Sequence, residues 1–121
     1  MLISKAYAAD FASRRSILPV TGFFVWANDS GKKRRAVVRV QGAPWFSLAT
    51  LYTAADAMGA PSSERFTILT APAYETLRPV HDRMPAILSP ESCDAWLDPA
   101  ADLKEARELL GSHDGVVLQW E

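Results

Sequence analysis

The stretch TAPAYETLRPVHDRMPAIL, Thr70 to Leu88, sets His81, Asp82 and Arg83 in succession between two prolines, Pro79 and Pro85. Proline fixes its own φ and narrows the choices of its neighbour, so this tripeptide has little freedom to lose on forming a site. Histidine is the side chain that changes charge near neutral pH, and an adjacent carboxylate or guanidinium can tune it. The same spacing also suits an ordinary turn, in which Asp82 pairs with Arg83 and His81 caps a carbonyl. Other reactive groups are sparse. Cys93 is the only cysteine and His113 the only other histidine. An intrachain disulfide and a cysteine-cluster metal site are excluded, and a zinc site is not expected. Cys93 falls in a helical stretch and reads as a small apolar residue there rather than a nucleophile. No cofactor is implied.

Phosphate contacts would have to come from one end of the chain. Arg14, Arg15, Lys32, Lys33, Arg34, Arg35 and Arg39 all lie in its first third, whereas the first glutamate is Glu64. Net charge is only -1, so the chain as a whole does not advertise nucleic-acid binding. The run Lys32–Arg35 with Arg39 fits a phosphate-binding patch and equally a solvated hairpin tip. No apolar run approaches the roughly 20 residues that span a bilayer. The opening MLISKAYAADF lacks the sustained apolar stretch of a signal peptide. These readings place the chain in the cytoplasm with no membrane partner.

The elements that must position these residues follow from pattern. With 121 residues, 49% apolar and 22% charged, the chain reads as one globular domain over 1–121. Residues 5–14 predict a short helix. RSILPVTGFFVW reads as extended, and NDSGKK as a polar turn leading into RRAVVRVQ, a hairpin with a basic loop. WFSLATLYTA supplies a third strand, and RFTILT and PAIL two more. A short helix is predicted from near Pro72, with Thr70 as its cap and an end before Pro79. SPESCDAWL predicts a helix capped by Ser89. DPAADLKEARELLG predicts another from Asp98 to Gly111, with Leu103, Ala106 and Leu110 on one face. GVVLQW closes the chain as a strand. The expected class is α+β with a mainly antiparallel sheet. Of the tryptophans, Trp26, Trp45 and Trp96 are assigned to the core.

FTILTAPAYETLRPVHDRMPAILSPESCDAWLDP resembles the core signature of the SOS response-associated peptidase (SRAP) family. RRSILPVTGFFVW is similar to that family's Arg-Cys-Leu-x-Pro-Ala-x-Gly-Phe-Tyr-Glu-Trp segment, and GKKRRAVVRV to the strand after it. The resemblance runs from about Arg14 to Pro99. It implies a barrel-like sheet, binding of single-stranded DNA, and covalent capture of a ring-opened abasic sugar by an N-terminal cysteine. A nearby asparagine, glutamate and histidine position and protonate groups in that reaction. The histidine of the motif falls on His81, the arginine after it on Arg83, and the threonine ending the preceding strand on Thr70. The last two are expected to touch DNA or organise the pocket.

Three departures bear on chemistry. The position of the cysteine is Leu2, the glutamate is replaced by Val25, and the one asparagine, Asn28, lies on the wrong side of GFFVW. Valine cannot carry a proton. The chain also lacks the family's N-terminal portion. The reading is therefore a non-catalytic SRAP-like protein that binds single-stranded DNA or a partner, with Lys32, Lys33, Arg34, Arg35 and Arg39 as further DNA contacts. Two alternatives stand beside it. The chain is half of an enzyme completed in trans by a separately encoded N-terminal half, or it is a regulatory interaction module, with a homodimer as one form.

Overall fold

The computed structural model describes residues 11–29, 31–53, 65–111 and 117–120. The Leu2 position, His113 and the first part of the predicted N-terminal helix lie outside them. Among the described residues the elements run in order β1 (Arg15–Val20), β2 (Phe23–Asp29), β3 (Lys32–Val40), β4 (Phe46–Thr53), β5 (Arg65–Ile68), β6 (Thr70–Pro72), β7 (Arg83–Pro85), β8 (Ile87–Leu88), α1 (Pro90–Leu97), α2 (Leu103–Gly111) and β9 (Leu118–Trp120). Residues 11–13 are also helical. Every strand pairing is antiparallel, as the α+β reading expects.

The strands do not close into one barrel among the described residues. They sort into a four-stranded sheet around β4, a three-stranded sheet β2-β3-β9, and the pair β6-β7. β1 borders one edge of β4, while β5 and β8 share its other edge end to end. At the junction Ala49 N–H donates to the Ala86 carbonyl (2.8 Å), Ala86 N–H to Leu69 (2.8 Å), and Leu69 N–H to Ala49 (3.0 Å).

β4 explains its own sequence. Phe46 and Leu48 enter one core, with Val25, Ala36, Val38, Leu77 and Met84. Ala49 and Leu51 enter a second, with Leu69, Ala71, Trp96, Ala106 and Leu110. A strand buried on both faces loses the apolar-polar alternation of a half-exposed one. The β2–β3 hairpin does alternate, with Val25, Ala27, Ala36, Val38 and Val40 buried on one side. Its turn passes through Gly31, whose φ of +83° is in the region that favours glycine.

Several expectations are corrected. Thr70–Pro72 is a strand, not the cap and start of a helix, and residues 75–80 form successive turns. Pairing of β6 with β7 wins there, since Thr70, Ala71 and Pro72 face Pro85, Met84 and Arg83. The last helix starts at Leu103 rather than Asp98. Asp102 is its cap, accepting from the Glu105 N–H at 2.7 Å, while Asp98 instead accepts from the Ala100 N–H at 2.9 Å. Ser89 caps α1 as predicted, accepting from the Ser92 N–H. Of the three tryptophans assigned to the core, only Trp96 is there; Trp26 and Trp45 are 62% and 61% exposed.

Arg15 also leaves the basic patch. It is 9% exposed, and its guanidinium donates to the carbonyls of Phe11 (2.7 Å), Ala12 (3.3 Å), Trp96 (2.8 Å) and Asp98 (2.7 Å). Those oxygens end two helical segments, whose last carbonyls have no partner inside the helix. One side chain therefore caps both segments and fastens β1 to α1, with the Trp96 ring beneath it.

Candidate nucleic-acid site

The pairing of β6 and β7 brings two of the predicted residues together. Thr70 and Arg83 are diagonal neighbours on the pair, and the Arg83 guanidinium donates to Thr70 Oγ1 at 3.0 Å. Both are exposed, above a floor of buried Ala71 and Met84. The remaining nitrogens of the Arg83 fork have no protein acceptor among the described residues. A guanidinium so placed can receive a phosphate or carboxylate.

The loop between the two strands is held by its own backbone. Ala73 N–H donates to the Asp82 carbonyl, Leu77 and Arg78 to Tyr74, and Val80 and His81 to Leu77. Leu77 is fully buried and anchors the loop in the first core. The turns cover residues 75–80 and so precede most of the stretch between the two prolines, in which His81 and Asp82 lead directly into β7 at Arg83–Pro85. Tyr74 lies within the loop, and burial pushes its phenol up from 10.0 to about 12.

His81 sits at the mouth of this turn. Its Nδ1 is 2.7 Å from the Arg83 carbonyl oxygen. A carbonyl only accepts, so Nδ1 carries the proton in this contact, and the Arg83 N–H at 3.2 Å cannot donate to it at the same time. The other ring nitrogen, Nε2, has no partner among the described residues and can hydrogen-bond a ligand. Asp82, 90% exposed, stands 4.0 Å from Nδ1, too far for a hydrogen bond. Asp82 and Arg83 do not pair: the arginine turns to Thr70.

Val25 faces the same core as Leu77 and Met84, with Val80 packed against it. It is 7% exposed. The position that resembles the family's glutamate is therefore buried in apolar surroundings, in the core that also receives Leu77 of the turn. Cys93 is half-buried on α1 and packs against the second core. It borders an open groove of about 800 Å³ that Ile17, Val40, Trp45, Phe46 and Leu88 also line.

The basic hairpin splits by parity. Lys32, Lys33, Arg34, Arg35 and Arg39 are all exposed. The register puts Lys33, Arg35 and Arg39 on the outer side of β3, and Lys32 and Arg34 on the side that carries the core further along. The outer side also holds two residues that the sequence reading did not select, Phe24 and an outward Trp26. Alternation within FFVWA was the available signal, because Val25 and Ala27 inside require Phe24 and Trp26 outside.

This fold and corner define a known class. A sequence profile of the family described as SOS response associated peptidase (SRAP) matches residues 1–121, and the chain belongs to that family. It is 34% identical over 99 residues to the abasic site processing protein YedK of Escherichia coli (strain K12), covering 81% of this chain and 44% of YedK. It is 28% identical over 111 residues to the abasic site processing protein YoqW of Bacillus subtilis (strain 168), covering 90% of this chain and 50% of YoqW. A crystal structure of a protein from Bacteroides thetaiotaomicron superposes with a TM-score of 0.82 at 26% identity, over 97% of this chain and 53% of that one. A phage-related protein from Bordetella bronchiseptica superposes at 0.71 and 27% identity, over 97% and 56%. The chain thus spans about half the length of its relatives. No described helix is long and apolar enough to cross a membrane.

Proposed function

We propose that this chain binds single-stranded DNA at the corner formed by His81, Thr70 and Arg83, and that it does not catalyse abasic-site cross-linking by the family mechanism. The observation that carries this is a contrast between positions that the family resemblance picks out. The histidine, threonine and arginine keep a geometry open to a ligand, while Val25 occupies the glutamate position in an apolar core. A phosphate would sit against the Arg83 fork and Thr70, and Nε2 of His81 would meet a sugar hydroxyl or protonated group. Lys32 and Arg34 add long-range attraction from the hairpin. The relatives' names support DNA with an abasic site as the preferred form.

The test compares abasic and intact single strands by anisotropy at several salt concentrations, with a denaturing gel for covalent adducts. Salt-dependent binding without adduct is expected. An adduct formed by this chain alone would overturn the non-catalytic part, and absence of binding at low salt would overturn the whole. A His81→Ala variant that folds normally and keeps full affinity would remove the histidine from the site.

A second reading draws on the groove beside Trp45 and the outer edge of β1, which pairs with no strand among the described residues. Such a groove next to an open strand edge suits a separately encoded strand added in trans. Co-expression with a polypeptide resembling the rest of a relative, followed by co-purification, tests it.

A further inference from the structure

Charge is unevenly shared along this chain. Residues 1–63 carry eight lysines and arginines against three acidic side chains, whereas residues 64–121 carry five against eleven. The layering turns this into a polarity across the molecule. The β2-β3-β9 sheet packs on one face of β4 through the first core, and α1 and α2 pack on the other face through the second. The outer side of that sheet and the exposed side of the helices therefore lie at opposite ends of the stack.

Each end joins charge to exposed apolar side chains. On the sheet, Phe24 and Trp26 are 59% and 62% exposed, and Trp26 stands opposite Arg35. The Arg35 guanidinium lies 4.4 Å from the centroid of the Phe24 ring. An arginine packed over a ring is ordered and still offers its N–H edge to a carboxylate. Lys33 shares this side, and a notch of about 330 Å³ opens between Val37, Arg39, Gln119 and Trp120. Among the residues whose side chains are described, this side carries no carboxylate. At the helical end, the corner Asp94–Leu103 holds three exposed carboxylates, Asp94, Asp98 and Asp102, and no lysine or arginine. Its Leu97 and Leu103 are 43% and 45% exposed. Arg15 fixes this corner from beneath, donating to the carbonyls of Trp96 and Asp98.

We propose that the outer side of the sheet docks the Asp94–Leu103 corner of a second copy of this chain. The corner sets leucine beside carboxylate twice, at Leu97 with Asp98 and at Asp102 with Leu103. The sheet offers the converse, rings beside cations, so the match holds in both sign and apolarity. A nucleic acid would suit the cations and rings but would leave the acidic corner and its exposed leucines without a counterpart. One contact between copies accommodates both ends. Pairing of sheet with sheet is disfavoured, because cation would meet cation. Since the two patches lie at opposite ends, the contact is heterologous and propagates as an open head-to-tail series. Lys32 and Arg34, on the other side of β3, take no part in it, nor does the His81 corner, so it goes beyond the site proposed above.

The test is sedimentation velocity of the full chain, treated with nuclease, over a concentration series at low and high salt. At low salt the average mass should climb past that of a dimer as concentration rises, and high salt should return the chain to monomer. A sheet variant, Trp26→Ala with Arg35→Ala, and a corner variant, Asp94→Lys, should each weaken association at least about tenfold. Circular dichroism checks that these variants, all at exposed positions, remain folded. The deciding sample mixes the two. Each alone should stay monomeric where the parent chain associates, and together they should form a 1:1 complex and nothing larger. The intact corner of the first then meets the intact sheet of the second. A parent chain that stays monomeric at low salt overturns the proposal, as does association that stops at a dimer, the mark of a closed contact. Association unchanged in either variant, or a mixture that stays monomeric, overturns it too. Association seen only before nuclease treatment would overturn it in favour of nucleic acid on the sheet. No DNA is present in the assay, so its outcome is independent of the His81 corner.

Discussion

Arg15 and Arg83 put the same guanidinium to opposite uses. Arg15 is enclosed, with carbonyls of Phe11, Ala12, Trp96 and Asp98 accepting from it. Arg83 is exposed and makes one side-chain bond, to Thr70. The first is buried and spends four of its five N–H donors on carbonyls at helix ends, so it presents no open fork to a ligand. The second is held at one nitrogen, which orients the fork without filling it. Position in a basic cluster does not separate these roles. What separates them is the local supply of acceptors, and a helix C-terminus is a rich source of them.

Breaking each region should show that difference. Arg15→Ala strands several buried carbonyls at once and should cost about 3–5 kcal/mol in urea unfolding, with DNA affinity of the folded fraction unchanged. Val25→Glu should follow, at roughly 2–3 kcal/mol, because a carboxyl is driven into a core of Leu77 and Met84. It should gain no adduct-forming activity on abasic DNA. Arg83→Ala should change stability by less than about 0.5 kcal/mol. Its affinity for abasic single strands should fall about tenfold, near 1.4 kcal/mol. Thr70→Val, which leaves Arg83 in place but unanchored, should give a loss of roughly twofold to threefold.

The smallest effect is confined to alkali. An unfolded tyrosine releases its proton near 10.0, whereas Tyr74 in the fold holds it to about 12. Between those values the unfolded chain binds fewer protons, so stability falls as pH rises. Below pH 10 both states are protonated and the phenol contributes no slope. Tyr74→Phe should therefore flatten that alkaline decline in unfolding experiments and leave the neutral range unchanged.

Much of this was legible in the sequence where local signals and tertiary pairing agree. The β2–β3 hairpin, the Ser89 cap and the closing strand each carry their own turn or cap chemistry. The segment after Thr70 was misread because Pro72 is as compatible with an edge strand as with a first helical turn. Only the distant partner Arg83–Pro85 decides between them. Asp98 and Asp102 are both acceptable caps, and the choice fell to the second. The His81 corner is proposed through resemblance, since three polar residues in succession specify nothing alone. Trp26 and Trp45 were misplaced for a further reason: a tryptophan's side of a strand follows parity and neighbours, not its hydrophobicity.

The ring of backbone bonds among Ala49, Leu69 and Ala86 has a consequence for how the molecule comes together. Ala49 in β4, Leu69 between β5 and β6, and Ala86 between β7 and β8 each lend one amide and one carbonyl, so no two of them complete the junction without the third. The segments are far apart along the chain, which raises the entropy of closure and slows assembly. Once formed, the junction opens only when the sheet around β4 comes apart. The amide hydrogens of Ala49, Leu69 and Ala86 should therefore exchange with deuterium together and among the last, at the rate of global unfolding, while Arg83 at the rim exchanges early.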